Sequence, residues 1–420
     1  MASDALSIAQ SIVNDAKRLS NSVEHSPLLP LSAYHSEQFW EFEKEYIFKH
    51  EWLCIGHTSQ VPASGDVLTR TLIDEPLLML RNEQNQVQVF SAVCRHRGHP
   101  LLDGLDASPN QQCLTLSRLR CPYHGWTYDL DGILVSAPFM HRSADINELR
   151  ANVRLPIIRT EIFHGFVFVN FDESAAPLSN TLDKTDNALE NFQLSKIRAM
   201  SVISRIDLGF NWKGYFENSL EPYHTDFVHS SSHDAAPAVG SLFFDHDDDD
   251  GEVLTSTRFA EGSTELFSDN ESETLPVFDG LTDEQQSQLS FIAIPPTWFA
   301  VVSPNSILVE LVRPTGASKT DIESIMFYSE AARNLPYFDA CHSINLENLQ
   351  KIQREDQTTQ SAVQRATLTQ FPPSGPLSWL ETTLPQFNAW LIRRYRKGLE
   401  LNEKVIEVRS RFLGLTNHQK

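Results

Sequence analysis

Cys94-Arg95-His96-Arg97-Gly98 and Cys121-Pro122-Tyr123-His124-Gly125-Trp126-Thr127-Tyr128 are the stretches on which the reading of this sequence turns. Each holds a Cys followed closely by a His, and 24 residues separate His96 from Cys121. Two thiolates and two imidazoles in two short pairs are donors for a transition metal. Zinc is one candidate, but Cys-x-His is tighter than zinc-finger spacing. A [2Fe–2S] centre of mixed ligation takes two thiolates on one iron and two imidazoles on the other. Each loop would then give one Cys and one His, and so bridge both irons. Imidazole ligation raises the potential of such a centre to roughly −150 to +300 mV. Gly98, Pro100, Pro122 and Gly125 place turn residues beside all four ligands.

Short β-like runs surround the two loops: Pro76–Leu80, Val87–Val93 and Gly165–Phe171, with Asp131-Gly132 as a turn. They predict a small all-β domain. Upstream, Ala5, Ile8, Ala9, Ile12, Ala16 and Leu19 recur at helical spacing. A polar, proline-bearing connector over 20–34 leads to a second helix over 36–50, with Phe39, Trp40, Ile47 and Phe48 on its apolar side. Downstream, 172–200 reads as a polar connection with a short helix. Trp298–Val302, Ile307–Val312 and Ile322–Tyr328 read as strands, and 339–366 and 384–411 as long helices. The class is α+β. Helices over 1–44 pack on the body, the β-domain spans 45–165, and a larger helix-flanked antiparallel-sheet domain spans 166–420.

The chain has 420 residues, 41% hydrophobic and 21% charged, enough to bury large cores without disulfides. Its 34 Lys and Arg against 55 Asp and Glu give a net charge of −21, which opposes binding to nucleic acid or anionic lipid. No apolar run approaches the ~20 residues of a membrane span. Asp4, Gln10, Ser11, Asn14 and Asp15 interrupt any secretion-type apolar region, and a cytoplasmic protein is expected. Of five cysteines, Cys54, Cys113 and Cys341 read as packing thiols outside the ligand pairs. The acidic run Asp245–Asp250, interrupted by His246, lacks calcium-loop spacing and reads as a solvated turn.

A second constellation follows Asn211-Trp212-Lys213: Glu217-Asn218, then Glu221-Pro222-Tyr223-His224, then His229. A five-residue step turns side chains about 140° apart on an ideal helix. His224 and His229 therefore share a metal only if the helix ends or distorts between them. Two His and one carboxylate make a facial triad with open positions on ferrous iron. In the helix near 350, Leu349, Asp356 and Val363 are seven apart on one face, with Ile352 beside them. Asp356 is an acid on an otherwise apolar stripe, expensive unless paired or bound to metal. Glu355 points about 100° away, so Asp356 is preferred as the third ligand. His233 is a rival ligand, while His99 and His164 read as structural. Phe243, Phe244, Phe291, Trp298 and Phe299 are candidates to line a pocket, for an aromatic ring or for a quaternary ammonium held by cation–π contacts.

The two loops, with His-x4-His and Asp356 followed by Val363-Gln364, resemble the oxygenase (alpha) subunits of the Rieske non-haem iron ring-hydroxylating oxygenases. The resemblance runs over about 36–412 and also takes in Trp52, Cys54-Ile55-Gly56-His57 and Val61-Pro62. It is closest to the branch of glycine betaine and choline monooxygenases. The resemblance implies a Rieske domain beside a helix-grip catalytic domain. Cys94, His96, Cys121 and His124 would hold the [2Fe–2S] cluster; His224, His229 and Asp356 would hold Fe(II), with Asn218 a further catalytic residue. It implies a terminal oxygenase that uses O2 to hydroxylate or oxidatively demethylate a small organic substrate. No Gly-rich flavin or nicotinamide fingerprint is present, so electrons would come from a separate NAD(P)H-dependent reductase, directly or through a ferredoxin. The 24-residue gap exceeds the family's usual spacing, and Cys113 lies in the excess. Glu221 stands where the family usually has Asp. That acid links the iron-binding His to a Rieske His of the neighbouring subunit, which implies a ring, most simply a homotrimer. The rival reading is a Rieske electron-transfer protein without a catalytic iron.

Overall fold

Turn chemistry and period-two alternation cut the chain between residues 53 and 170 into ten short strands. The computed structural model describes residues 2–15, 23–26, 28–102, 113–229, 235–247, 250–261, 263 and 274–412. The strands are β1 (Leu53–His57), β2 (Asp66–Leu72), β3 (Glu75–Arg81), β4 (Val87–Ser91), β5 (Leu114–Thr115), β6 (Leu119–Arg120), β7 (Thr127–Tyr128), β8 (Leu134–Ser136), β9 (Arg159–Phe163) and β10 (Phe166–Asn170). They form three antiparallel sheets, ordered β4-β3-β2-β5, β6-β7-β8 and β1-β10-β9. The first two enclose a core of Leu78, Leu80, Phe90, Trp126, Tyr128 and Leu134, which also takes in Cys94 and Cys121.

β10 is buried on both faces, as a continuous apolar run requires. Val167 and Val169 enter one core, and Phe166 and Phe168 enter the other. The sequence boundary at 165/166 therefore falls on the His164-Gly165 turn of the β9–β10 hairpin, and that sheet continues to Asn170. Gly165 has φ +87, and a Cβ there would lie 2.3 Å from His57 Nε2. Glycine is required both by the turn and by the ring beneath it.

The His57 ring is fully buried, edge-on to Phe166 and Phe327 at 4.9 Å each, with Nδ1 2.8 Å from Ser59 Oγ. Burial pushes its pKa down to about 4. Below pH 6.5 the unfolded chain takes a proton that the folded chain refuses. Stability is thus lost as pH falls from 6.5 to 4, by about 3 kcal/mol from this group. His57→Asn keeps an acceptor for the Ser59 N–H and cannot titrate. We expect it to be less stable than wild type at pH 7, with a flatter fall in urea-unfolding free energy between pH 7 and 4. Parallel profiles would remove His57 from the acid limb.

The larger domain is one seven-stranded antiparallel sheet, β11 (Ser201–Leu208), β12 (Ser241–Phe243), β13 (Val253–Arg258), β14 (Gln288–Ile294), β15 (Trp298–Val302), β16 (Ile307–Gly316) and β17 (Lys319–Phe327), in the order β11-β17-β16-β15-β14-β13-β12. Alternation gives it two different faces. Trp298, Ala300, Val302, Ile307, Val309 and Ile325 form one, packed on Phe166 and Phe168. On the other, Thr255, Phe291, Val301, Leu308 and Met326 lie in one cross-strand row. Helices Trp212–Leu220, Phe338–Ala366 and Thr383–Phe412 belong to this second side.

The N-terminal helix Ala2–Asp15 buries Ala5, Ala9 and Ile12 as its spacing requires; Ala16 and Leu19 lie outside the described residues. The 36–50 helix is α-helical over Glu37–Glu43 and π-helical over Lys44–Phe48. The acidic run is only partly a solvated turn. Asp245 and Asp247 are exposed, Asp250 pairs with Lys184, and 248–249 lie outside the described residues.

Candidate active site

The two Cys–His loops have one design. In the first, Gly98 N–H donates to Cys94 O at 3.1 Å and Cys94 N–H to His99 O at 2.9 Å. In the second, Gly125 N–H donates to Cys121 O at 3.0 Å and Cys121 N–H to Trp126 O at 2.8 Å. Gly98 and Gly125 both have positive φ, +75 and +71, which closes each loop back on its Cys. The thiols are buried, whereas the His124 ring is exposed and the His96 ring half-buried, 4.8 Å from it. His96 stacks on Trp126 at 4.7 Å. His96 Nδ1 is buried without a hydrogen-bond partner, the kind of orphaned donor atom that a metal satisfies. Tyr128 OH lies 3.4 Å from Cys94 Sγ and accepts from Arg95 N–H at 3.0 Å. Four donors of this type on paired loops fit a [2Fe–2S] cluster of mixed ligation.

His224 and His229 flank a single helical turn. The Trp212–Leu220 helix stops at Glu221, whose backbone is extended, and a new turn runs over Thr225–Val228 between the two histidines. The break that a five-residue step demands is therefore present. His224 Nε2 and His229 Nε2 lie 3.5 Å and 3.1 Å from Asp356 Oδ1, and the three ligand atoms are within 4.8 Å of one another. Each Nδ1 is already engaged, His224 by Glu221 Oε1 at 2.7 Å and His229 by Glu355 Oε2 at 2.8 Å. Both rings are thereby turned with Nε2 toward Asp356. Asn218 Nδ2 donates to Asp356 Oδ1 at 2.9 Å. Burial disfavours charge on His224, yet the Asp356 and Glu221 carboxylates carry its pKa up to about 10; the two histidines hold Asp356 well below the usual carboxylate range. A divalent cation between the three groups would take the place of those protons, so the donor set fits ferrous iron.

Glu355, the rival to Asp356 in the sequence, stands behind His229 instead. We expect Glu355→Ala to weaken iron retention by ~10–100-fold, because an unheld His229 ring loses its orientation. Chelator competition followed by iron analysis reads this. Retention equal to wild type would reduce the contact to a surface pair. His99 and His164 hydrogen-bond to Pro100 O and Asp186. His233 lies outside the described residues.

A cavity of about 130 Å³ opens from His224, His229 and Asp356 onto the second face of the sheet. Phe291 and Phe299 line it, as expected, but Trp298 and Phe243 do not. Trp298 is next to Phe299 in a strand and so points to the opposite face. Phe243, on the edge strand, packs against Trp379 at 6.3 Å. Phe244 is exposed just past that strand. The sequence reading passed over Glu310, an acid inside the apolar run 307–312, which also lines the cavity.

Residues 51–156 match the Rieske [2Fe-2S] domain, and residues 198–397 match the ring hydroxylating alpha subunit catalytic domain. The chain carries a Rieske domain followed by the catalytic domain of ring-hydroxylating alpha subunits. Such a Rieske domain carries a [2Fe–2S] cluster and such a catalytic domain a mononuclear iron. Among relatives, the carnitine monooxygenase oxygenase subunit of Acinetobacter pittii (strain PHEA-2) is 32% identical over 255 residues, 60% of this chain and 64% of the relative. The glycine betaine monooxygenase oxygenase subunit of Chromohalobacter salexigens is 31% identical over 230 residues, 54% of this chain and 46% of the relative. The match thus spans less than two thirds of these relatives. The crystal structure of the quaternary ammonium Rieske monooxygenase CntA bound to an inhibitor superposes with TM-score 0.72 at 22% identity, over 87% of this chain and 94% of that one. Naphthalene 1,2-dioxygenase from Rhodococcus sp. gives 0.72 at 18% identity, over 94% and 98%. At such identities the likeness is one of fold. Among the described residues of this chain, no helix is long and apolar enough to cross a membrane.

Proposed function

We propose that this chain is a terminal oxygenase that hydroxylates or oxidatively demethylates a small quaternary ammonium compound, using O2 and electrons from a separate NAD(P)H-dependent reductase, directly or through a ferredoxin. In this reading Cys94, His96, Cys121 and His124 hold the cluster, and His224, His229 and Asp356 hold the iron. One observation carries it: two imidazoles and one carboxylate converge at the end of a cavity, with both outer Nδ1 atoms held by Glu221 and Glu355 and Asp356 Oδ1 steadied by Asn218 Nδ2. An electron carrier would not need that convergence. The substrate class is supported by the carnitine and glycine betaine relatives and by the aromatic rings of Phe291 and Phe299 on the cavity wall.

When bound, the two centres supply one-electron transfer and oxygen activation; the protein supplies position and polarity. Glu221 and Glu355 fix the tautomers of His224 and His229 and keep both Nε2 atoms directed at one point. Asn218 holds Asp356 by one oxygen. The apolar row Phe291, Val301, Leu308 and Met326 keeps water from the substrate's body. Glu221 would also join His224 to the partner subunit's His124 by a second hydrogen bond, within a ring that is most simply a trimer. Exposed apolar surface lies at both points that must meet: Tyr223 and Phe227 next to His224, and Tyr123 next to His124. The iron-to-protein ratio of the purified chain tests the reading. It is about three for an oxygenase and about two for a cluster-only carrier.

A further inference from the structure

Glu310 stands on the cavity wall and takes no part in the triad. Its carboxylate accepts from Arg205 Nη2 at 2.8 Å, Tyr215 OH at 2.5 Å, Ser324 Oγ at 2.6 Å and Gln353 Nε2 at 2.7 Å. Arg205 does not line the cavity, and its charge is met by Glu310. Among the described residues, the ionisable groups on the wall are the two histidines, Glu221, Glu310 and Asp356; no Lys or Arg is there. The remaining polar wall is neutral, with Thr255, Thr257, Ser303 and Asn305 among its residues. A substrate carboxylate held on this wall away from the triad would lose its water and find no Lys or Arg to replace it. A hydroxyl or amide would find partners on the neutral wall, and an ammonium group would find the rings of Phe291 and Phe299.

We propose that Glu310 is a specificity-determining residue: by neutralising Arg205 it makes the cavity refuse carboxylates, so that the substrate is a small ammonium compound whose second polar group is uncharged. The inference rests on the ammonium-oxygenase reading and narrows it away from betaines. The test is anaerobic calorimetric titration of the iron-loaded full chain with choline and with glycine betaine, which differ in carrying an alcohol or a carboxylate. Choline is expected to bind ~100-fold tighter, the scale on which a buried polar mismatch discriminates. Glu310→Gln leaves Arg205 without its counter-charge and should shrink that ratio at least ~10-fold, with the Rieske spectrum unchanged as the check on folding. Arg205→Gln, which removes the masked cation instead, should keep or widen the ratio. Glycine betaine binding as tightly as choline would overturn the inference and leave the ammonium reading standing. Binding of neither ammonium compound, with binding of an uncharged aromatic such as indole, would overturn both. Binding of no probe, or a ratio unmoved in Glu310→Gln, would overturn the role of Glu310.

Discussion

Asp356→Ala is expected to remove turnover while leaving the Rieske absorption and electron-resonance signals at wild-type strength. Iron should fall from about three to about two per chain, because only the triad loses a ligand. Among the described residues, Asp356 is the one carboxylate whose oxygen lies within 3.5 Å of both Nε2 atoms. Its loss leaves two neutral imidazoles, a weak site for ferrous iron. Removing it also frees Asn218 Nδ2, which belongs to the Trp212–Leu220 helix and not to the cluster loops, so the cluster keeps all four of its donors. Full activity in Asp356→Ala with loss in Glu355→Ala would transfer the ligand role to Glu355. Full activity in both would end the triad model.

Much of this site was legible before the structure because its parts are contiguous. In the cluster loops the ligands and the turn glycines adjoin, so spacing alone carries the chemistry. The break between His224 and His229 followed from helical geometry. The stripe that selects Asp356 is present over Leu349, Ile352 and Asp356, which all line the cavity, but it does not reach Val363. Val363 is exposed, and the buried residues of the Phe338–Ala366 helix are Phe338, Asn345, Leu349, Gln353 and Gln360. Three of those five are amides. Gln353 is buried because it donates to Glu310 and Ser324, and Asn345 because it donates to Tyr328 OH. A hydropathy pattern cannot see a polar residue that is satisfied by a distant partner. Ser201–Leu208 and Val253–Arg258 escaped notice as strands for a related reason, since Ser, Thr and Arg interrupt the apolar signal. Trp298 was assignable from sequence: it cannot share a strand face with Phe299. Glu310 was detectable by the reasoning applied to Asp356, an acid in an apolar run that needs a partner.

Glu221→Gln is expected to keep both metal centres and substrate binding, yet to slow electron transfer between them by ~100-fold or more, on the scale of lost outer-shell contacts at metal sites. Glu221 Oε1 is 2.7 Å from His224 Nδ1, and Oε2 accepts the His224 backbone N–H at 3.1 Å. A carboxylate has about four acceptor positions, so it can hold His224 and still accept a second imidazole N–H from a neighbouring subunit. An amide of the same length can keep the first bond through its oxygen. Its NH2 group then meets the second imidazole's N–H, donor against donor. The variant therefore separates bridging from positioning: His224 stays held and the connection is cut. A carboxylate that only capped the turn, favoured by the helix dipole, would show no such split. The measurement is a single turnover in the assembled oligomer, with both centres reduced beforehand and substrate and O2 added, following the loss of the reduced-cluster spectrum. Wild-type rates in Glu221→Gln, or full activity from a verified monomer, would refute the bridge. Slow reoxidation with unchanged iron content would place Glu221 between the subunits.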